Sequence, residues 1–404
     1  GKTGLLIGIG GVSMSPLAEV LHDAGLDIRG SDMAESSNTL TLRERGIPIH
    51  IGHSADNVTD DISFVIRTAA VHDDNPEVHE AHRRGIPVFE RTQAWGALMR
   101  GYQNALCISG THGKTTTTSM CTHIMMAAEK DPTVMIGGTL PLLKACHRVG
   151  KGNTIIMESC EYYNSFLALN PTIAVVLNIE ADHLDFFKDL EDIKHSFRCF
   201  AERVPAETGT VIANYDDANT MDALRGIARK VITFGLNAKA DVYAQNIVHR
   251  GSVSEFDIYH RGNYFARVTL HVPGVHNVRN ALAATAAAIV LGVSPNAVKY
   301  GLAGFEGAGR RFDFKGKFQG ADLYDDYAHH PSELRALLDA VDTLNYQRTI
   351  VVFQPHTYSR TAKLFNDFVE QLRRPTIVYL AEIYAAREKN TIGISSADLA
   401  AQIP

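Results

Sequence analysis

The segment 107–116 reads Cys-Ile-Ser-Gly-Thr-His-Gly-Lys-Thr-Thr and carries the chemistry of a triphosphate site. Gly110 and Gly113 let backbone N–H groups approach phosphate oxygens, and Lys114 places a positive charge at the β- and γ-phosphates. Thr115 can offer its hydroxyl to Mg²⁺, and the helix predicted to follow directs its positive end at the anion. The spacing Gly-x-x-Gly-Lys-Thr is two residues shorter than the common phosphate loop, so it does not indicate a general nucleotide-triphosphatase. A glycine turn that only caps a helix is the alternative.

Carboxylates and an imidazole follow two predicted strands near this loop. Glu158 and Glu161 end one strand, and His183 follows the next in the motif Asn-Ile-Glu-Ala-Asp-His. Because the carboxyl ends of parallel strands meet at one sheet edge, these side chains are expected to face the triphosphate, where they could hold divalent cations; Glu161 and His183 are the favoured pair. Taken singly, Asp182 or Asp185 is better interpreted as a helix cap or a solvent-facing acid.

Two asparagines one turn apart begin an alanine-rich predicted helix in the motif His-Asn-Val-Arg-Asn at 276–280. An asparagine amide can pair with N6 and N7 of adenine, so these residues could bind a nucleobase. An ordinary helix N-cap is the alternative for either residue alone. Arg310 and Arg311 follow a glycine-rich segment, where a guanidinium could reach a phosphate when domains close or form a surface ion pair.

Two polar segments end successive predicted strands late in the chain: Asp325-Asp-Tyr-Ala-His-His-Pro331 and Gln354-Pro-His-Thr-Tyr-Ser-Arg360. Both are therefore expected at one sheet edge, which is the usual ligand edge of such folds. A zinc site is disfavoured, because adjacent histidines cannot easily point at one metal ion.

A further glycine loop, Gly8-Ile-Gly-Gly-Val-Ser-Met14, follows the first predicted strand. It resembles a dinucleotide fingerprint, and Asp32 follows the second strand where an acid would meet a ribose hydroxyl. Ser13 occupies the place of the third glycine of that fingerprint. The loop is consistent with a nucleotide pyrophosphate site or with a tight structural turn, and both interpretations stay open here.

Size and charge restrict the class of protein. With 404 residues the chain exceeds one hydrophobic core, so two or three domains of about 100–200 residues are expected. A net charge of -6 argues against nucleic-acid or acidic-membrane binding. The five cysteines form no C-x-x-C pair, and neither a signal peptide nor a membrane-spanning run is visible. The cytoplasm is the expected compartment.

Apolar runs and helical patterns divide the chain into three predicted α/β units, at 1–100, 101–309 and 310–404. In the first, strands at 3–9, 27–30, 63–67 and 86–89 alternate with helices such as 14–24, which indicates a doubly wound, mostly parallel sheet. The second combines strands at 154–158, 173–178, 210–213 and 231–234 with β-hairpins over 241–272 and a buried helix at 277–291. The third has strands at 322–327, 349–353 and 376–380 and helices at 333–343 and 362–372.

Six motifs occur in an order that resembles the Mur ligase family, most closely its alanine-adding branch: Gly-Thr-His-Gly-Lys-Thr-Thr, Asn-Ile-Glu-Ala-Asp-His, His-Asn-x-x-Asn, Gly-Arg-Arg-Phe, Asp-Asp-Tyr-Ala-His-His-Pro and Gln-Pro-His-x-Tyr-x-Arg. The resemblance covers essentially the whole chain. It implies an α/β fold with an N-terminal Rossmann-like domain for a UDP-sugar, a central P-loop ATPase-type domain with β-hairpins, and a C-terminal Rossmann-like domain that binds the amino acid. In the family this last domain continues beyond the point where Pro404 ends the chain.

The same resemblance implies a function, which is ATP-dependent ligation of L-alanine to UDP-N-acetylmuramate for peptidoglycan synthesis, with two Mg²⁺ ions. A monomer or homodimer is expected, with no nucleic-acid or membrane partner. The implied catalytic residues are Lys114, Glu161, His183, His329 and Arg360. The implied metal ligands are Thr115, Glu161 and His183.

Binding residues are implied in the same way. ATP would be bound by Gly110, Thr111, His112, Gly113, Lys114, Thr115, Thr116, His276, Asn277, Asn280, Arg311 and Asp325. The UDP-sugar and the amino acid would be bound by Gly8, Gly10, Gly11, Met14, Asp32, His53, Thr68, Tyr327, His329 and Arg360.

The chain departs from the family pattern at several positions. Ser13 stands where glycine is usual, Glu-Ser-Cys-Glu-Tyr replaces Glu-Ala-Asp-Glu-Ser, and Thr357 occupies a position often held by arginine. Only the last bears directly on the amino-acid site. Other branches carry a carbamylated lysine after the metal-binding histidine, and Arg198 stands at that offset here, which fits the alanine-adding branch.

Three alternatives remain at this point. A recycling ligase that attaches a tripeptide to the same sugar shares most motifs but differs at Gln-Pro-His-x-Tyr-x-Arg. A nicotinamide-dependent oxidoreductase would explain the loop from Gly8 and Asp32 but not Lys114. A non-enzymatic nucleotide-sensing module would not need Glu161, His183 and Arg360 together.

Overall fold

The first unit is a parallel five-stranded sheet covered by helices. The computed structural model describes residues 3–68, 70–386 and 388–403. The strands are β1 (Thr3–Ile7), β2 (Asp27–Asp32), β3 (Ile49–Ile51), β4 (Phe64–Arg67) and β5 (Val88–Glu90), and they pair in the order β3-β2-β1-β4-β5. The helices are α1 (Met14–Asp23), α2 (Ser37–Glu44), α3 (Pro76–Arg83) and α4 (Arg91–Met99), with a 3-10 helix at Ala55–Asn57.

The central unit is built on a ten-stranded sheet. Its strands are β6 (Asn104–Ser109), β7 (Thr133–Leu140), β8 (Ala145–Arg148), β9 (Thr154–Glu158), β10 (Ile173–Val176), β11 (Thr210–Asn214), β12 (Lys230–Gly235), β13 (Val242–Arg250), β14 (Val253–His260) and β15 (Asn263–Leu270). The order is β15-β14-β13-β12-β11-β10-β6-β9-β7-β8, parallel from β13 to β7 and antiparallel at both edges. β6 is buried almost throughout, as expected for a parallel strand covered on both faces.

The helices of this unit are α5 (Lys114–Ala127), α6 (Leu190–Ala201), α7 (Ala218–Ala223), α8 (Val275–Val290) and α9 (Pro295–Ala303), with a 3-10 helix at Tyr162–Ala168. The alanines of α8 are small enough to let it pack closely in the core that it shares with α5.

The third unit is smaller. It contains β16 (Asp313–Phe318), β17 (Ala321–Asp325), β18 (Ile350–Phe353) and β19 (Ile377–Leu380), with α10 (Pro331–Asp342), α11 (Tyr358–Lys363), α12 (Phe365–Leu372) and α13 (Ser396–Ala400). β18 and β19 pair in parallel, and Leu334, Phe353 and Phe368 form the centre of its core.

Helix α4 fastens the first unit to the central one. Trp95 and Met99 are buried in a cluster that also contains Phe166 and Phe200 of the central unit. Gly96 is required at the contact, because a Cβ there would lie 2.0 Å from the carbonyl oxygen of Ala168. The backbone of α4 is therefore held directly against the central unit.

Most predicted elements are found within a few residues of their expected bounds. The strand expected at 322–327 differs in its pairing, because β17 pairs antiparallel with β16 and not with β18. The reason is local: Gln319 and Gly320 have φ of 49° and 84°, the left-handed turn that joins adjacent strands into a hairpin. The helix expected at 362–372 is two helices, α11 and α12. Among the described residues, no helix is long and apolar enough to cross a membrane.

Candidate active site

The phosphate loop lies between β6 and α5 and is held by Asn178. The Asn178 side-chain oxygen accepts from the backbone N–H of His112 at 2.8 Å, and its amide donates to the His112 carbonyl at 3.1 Å. Gly113 caps α5 with φ of 84°, and a Cβ there would lie 2.7 Å from the side-chain oxygen of Asn280. Glycine is therefore needed both for the turn and for the approach of α8.

The Lys114 side chain bends back towards the phosphate loop. Its Nζ donates to the carbonyl of Gly110 at 2.5 Å and to Glu161 Oε2 at 3.0 Å. Burial opposes the charged ammonium, but the negative charge of Glu161 outweighs it and holds the pKa of Lys114 above its usual range. Lys114 is therefore a cation throughout the neutral range, as an anion-binding lysine must be.

Glu161 and His183 lie together beyond β9 and β10. Glu161 is 2% exposed, and its Oε1 lies 3.7 Å from Nε2 of His183. Burial lowers the pKa of His183, which favours the neutral imidazole that binds metals. The Thr115 hydroxyl donates to Glu158 Oε1 at 3.1 Å, so its lone pairs stay available. The carboxylate of Glu161 and the imidazole of His183 are ligands that suit a divalent cation, and the Thr115 hydroxyl at the start of α5 is a third group of that kind.

A cavity of about 460 Å³ opens beside the phosphate loop. Predicted ATP-binding residues that line it are His112, Gly113, Thr115, Thr116, His276, Asn277, Asn280 and Arg311. Gly110, Thr111 and Lys114 are not part of its described lining. The lining asparagines are joined, because the Asn280 amide donates to the Asn277 side-chain oxygen at 3.3 Å. Asp325 does not line the cavity, whereas its neighbour Asp326 does.

Tyr327 and His329 lie near the joint between the central and third units. Tyr327 is 45% exposed and stacks under the guanidinium of Arg310 at 4.7 Å from the ring centroid. His329 packs edge-on against His356, with ring centroids 5.9 Å apart. Neither residue lines the separate cavity that is bordered by Arg360 and His183.

His112 joins the phosphate loop to α10 of the third unit. Its Nδ1 lies 3.1 Å from Glu333 Oε1, its Nε2 lies 2.8 Å from the Ser332 hydroxyl, and Nε2 is 3.4 Å from Glu180. Burial alone would lower the pKa of His112, but the hydrogen bonds to Glu180 and Glu333 outweigh it and raise the pKa to about 9. At neutral pH the contact is therefore an ion pair between two units.

The arrangement of His112, Glu180 and His330 could also hold a metal ion by distance alone. A proton held with a pKa of about 9 on His112 competes with a metal at neutral pH, so the ion pair is the better interpretation. His330 and His329 point to different partners.

This contact leads to a pH prediction. The pKa of His112 is raised above its unfolded value near 6.5, so its contribution to stability is complete below pH 6.5 and is lost as pH rises towards 9. We expect His112→Asn to lower stability by about 1.5–3 kcal/mol at pH 6, the usual contribution of a hydrogen bond to a charged group. The difference from the wild type should shrink towards pH 9, as measured by urea unfolding across that range. A difference that does not vary with pH would contradict the ion pair.

Arg360 makes a second contact between the third and central units. Its Nε and Nη2 both donate to Asp182 Oδ1, at 3.1 and 2.8 Å, and Nη1 donates to the carbonyl of His356 at 3.0 Å. Burial opposes the charged carboxylate, but the charge of Arg360 holds the pKa of Asp182 well below its usual range. Asp182 directly precedes His183, so this buried pair brings α11 over the cation site.

A cavity of about 1060 Å³ lies where the three units meet. His183, Asp182 and Arg360 line it on one side, and Arg67 and Arg91 of the first unit line it on another. It is therefore bounded by side chains from every unit of the chain.

The glycine loop of the first unit borders a separate cavity. Its lining contains Gly8, Gly10, Gly11, Asp32, His53 and Thr68. The Asp32 carboxylate accepts from the backbone N–H of Gly10 at 2.8 Å, so here it shapes the loop itself. His53 is held by Glu77, with 2.7 Å between Nδ1 and Oε2. Met14 is buried in the core beneath the loop and does not line this cavity.

Two residues that the sequence did not single out hold this site together. Ser332 and Glu333 both bind His112 of the phosphate loop. Glu333 follows His330 by three residues at the start of α10 and forms a capping box with it, a spacing that can be read from sequence. The contact with His112, 221 positions away, has no local sequence signal.

Three domain families match the chain in order. They are the catalytic domain of the Mur ligase family at residues 6–103, the Mur ligase middle domain at 108–288, and the Mur ligase glutamate ligase domain at 310–404. The UDP-N-acetylmuramate–L-alanine ligase of Agathobacter rectalis is 47% identical over 394 residues, which are 97% of this chain and 86% of that protein.

Solved structures are similar as well. UDP-N-acetylmuramate-alanine ligase from Thermotoga maritima aligns with a TM-score of 0.77 and 31% identity, covering 95% of this chain and 85% of that one. The ligase from Neisseria meningitides that joins UDP-N-acetylmuramate to L-alanyl-gamma-D-glutamyl-meso-diaminopimelate aligns with a TM-score of 0.68 and 26% identity, covering 76% of this chain and 98% of that one.

Proposed function

Because the chain belongs to the Mur ligase family, we propose that it joins L-alanine to the lactyl carboxylate of UDP-N-acetylmuramate at the expense of ATP, in peptidoglycan precursor synthesis. The predicted family and the predicted three-unit α/β fold are confirmed by the domain matches and the structural similarity. One observation of the site supports the proposal most strongly. Lys114, Glu161 and His183 of the central unit lie together. Arg360 of the third unit binds Asp182, the residue before His183, at a cavity that also reaches the first unit.

The cavity proposed for the nucleotide-sugar adjoins that place. The cavity at the glycine loop and the cavity where the units meet share Val71 and His72 in their linings. A diphosphate bound at Gly8, Gly10 and Gly11 would therefore place the sugar and its carboxylate towards His183. ATP would occupy the cavity beside the phosphate loop, between Asn277 and Arg311.

The residues explain how a carboxylate becomes reactive. An oxygen of the sugar's carboxylate attacks the γ-phosphorus of ATP, ADP leaves, and an acyl phosphate forms. The alanine amine then attacks the carbonyl carbon, phosphate leaves, and the nitrogen loses a proton to give the amide. Lys114 stabilises the negative charge on the transferring phosphoryl group. Two Mg²⁺ ions held by Thr115, Glu161 and His183 would neutralise further charge on that group.

Water must be excluded, because it would hydrolyse the acyl phosphate. The third unit provides this cover through two contacts with the central unit, His112 with Glu333 and Arg360 with Asp182. His112 directly precedes Gly113 of the phosphate loop, and Asp182 directly precedes the predicted metal ligand His183. The site is therefore complete when the third unit is closed over it.

The metal assignment leads to a prediction. Glu161→Gln and His183→Gln should each raise the Mg²⁺ concentration needed for half-maximal rate about tenfold or more, because each removes a ligand of a site with few protein ligands. The measurement is phosphate release against Mg²⁺ concentration.

Asp185→Asn is the matched control, since it lies at the same cavity but accepts a hydrogen bond from Tyr162 at 2.5 Å. Its Mg²⁺ dependence should equal that of the wild type. Identical titrations for all three variants would show that the ligands are wrongly assigned.

The recycling reaction with a tripeptide is the alternative within the family. The identity of 47% to an alanine ligase, against 26% to the peptide ligase of Neisseria, favours alanine. We further propose that the protein works in the cytoplasm, where ATP and UDP-sugars are present. Phosphate release that requires both UDP-N-acetylmuramate and L-alanine is the experiment that tests the proposal.

A further inference from the structure

Arg91 presents a half-buried guanidinium to the cavity where the three units meet. It is the first residue of α4, the helix whose backbone is fixed against the central unit at Gly96. Among residues 3–68, 70–386 and 388–403, no hydrogen bond or ion pair engages this guanidinium; its neighbour Glu90 pairs with Arg67 instead. Burial lowers the pKa of Arg91, which expresses the cost of holding an unpaired cation there.

Every carboxylate in the described lining of this cavity already has a partner. Asp182 is bound by Arg360, Asp185 by Tyr162, and Glu90 by Arg67. Glu388 accepts from the Thr357 hydroxyl at 2.8 Å and from the backbone N–H of Ser359 at 2.9 Å. None of these described carboxylates is bound to Arg91, so its guanidinium remains available to an anionic ligand in this cavity.

The position of Arg91 indicates which anion this is. The cavity adjoins the one at the glycine loop, with which it shares Val71 and His72, and its lining includes Cys160, the residue before Glu161. An acid attached to a nucleotide-sugar, and extending from the glycine loop towards Glu161, would pass Arg91.

We propose that Arg91 is the residue that binds the lactyl carboxylate of the nucleotide-sugar, through a paired guanidinium–carboxylate contact. This inference rests on the proposed function and extends it by naming how the acid is recognised. Because α4 is fixed to the central unit, the carboxylate would be held at a constant position relative to Lys114 and His183.

The test compares two nucleotide-sugars that differ at the acid. Calorimetry would measure the affinity of the wild type, Arg91→Gln and Arg91→Lys for UDP-N-acetylmuramate and for UDP-N-acetylglucosamine, which lacks the lactyl group. Arg91→Gln should weaken the binding of UDP-N-acetylmuramate roughly 30-fold or more, which is the lower end of the loss expected when one partner of a buried charge pair is removed. The same variant should bind UDP-N-acetylglucosamine as tightly as the wild type does. The affinity of Arg91→Lys for UDP-N-acetylmuramate should lie between those of the wild type and Arg91→Gln.

Lys363→Gln is the matched control, because it removes one positive charge from the same cavity. It should leave both affinities unchanged. Equal weakening of both ligands by Arg91→Gln, or no weakening of either, would overturn the inference. A wild type that binds UDP-N-acetylmuramate no better than UDP-N-acetylglucosamine would overturn it too, and failure to ligate alanine would separately show that the proposed function is wrong.

Discussion

Lys114→Ala is expected to reduce ligation about 1000-fold or more while the affinity for UDP-N-acetylmuramate stays near that of the wild type. The Lys114 ammonium is a preorganised cation of the phosphate loop, and removing a single preorganised donor to developing charge costs about 100- to 1000-fold. The loss is expected at the upper end, because Glu161 would then remain as an uncompensated charge that is 2% exposed. Phosphate release measures the rate of ligation, and calorimetry measures the affinity for UDP-N-acetylmuramate.

Lys130→Ala is a suitable control for this variant, because it is an exposed lysine just beyond the end of the same helix, α5. Its turnover should match that of the wild type. Turnover of Lys114→Ala close to the wild-type value would remove the phosphate loop from the reaction.

Arg360→Ala is expected to lower both acyl-phosphate formation and amide formation, by roughly 100- to 1000-fold. The reason is the contact with Asp182, since breaking one side of a buried ion pair costs about 3–5 kcal/mol and here that penalty opposes closure of the third unit. From sequence alone, Arg360 is expected to bind the amino-acid carboxylate. In the structure its Nε, Nη1 and Nη2 already have partners. Positional isotope exchange in ATP without alanine reports acyl-phosphate formation, and phosphate release with alanine reports the complete reaction.

A double variant separates the two roles of Arg360. Arg360→Gln combined with Asp182→Asn removes both charges of this pair and leaves neither one unpaired, so it should be more active than Arg360→Gln alone. Retained isotope exchange in a ligation-dead Arg360→Ala would instead assign this residue to the amino acid.

The elements around the phosphate loop can be predicted from sequence because their signals are local. A run of apolar residues predicts β9 at Thr154–Glu158, and the Gly-Lys-Thr turn predicts a helix at the position of α5. The hydrogen bonds of Asn178 to His112 connect residues 66 positions apart. They depend on β10 lying beside β6, which no local pattern specifies.

The joint with the third unit was the least predictable part. The strand pattern places Asp325 and Gln354 at one sheet edge, but β17 pairs with β16 through the turn at Gln319, and Asp326 lines the nucleotide cavity in place of Asp325. A shift of one residue moves a side chain to the opposite face of an extended strand. An error of one residue in the predicted register therefore replaces a lining residue by its neighbour in sequence. The site residues and the boundaries after residues 100 and 309 stay predictions.

The most direct test of this account is phosphate release from ATP with UDP-N-acetylmuramate as acceptor, comparing L-alanine, L-serine, glycine and the tripeptide L-alanyl-gamma-D-glutamyl-meso-diaminopimelate. We predict release that requires the nucleotide-sugar and has its highest kcat/KM with L-alanine. Release that does not need the nucleotide-sugar, or that occurs with the tripeptide and not with L-alanine, would contradict the account.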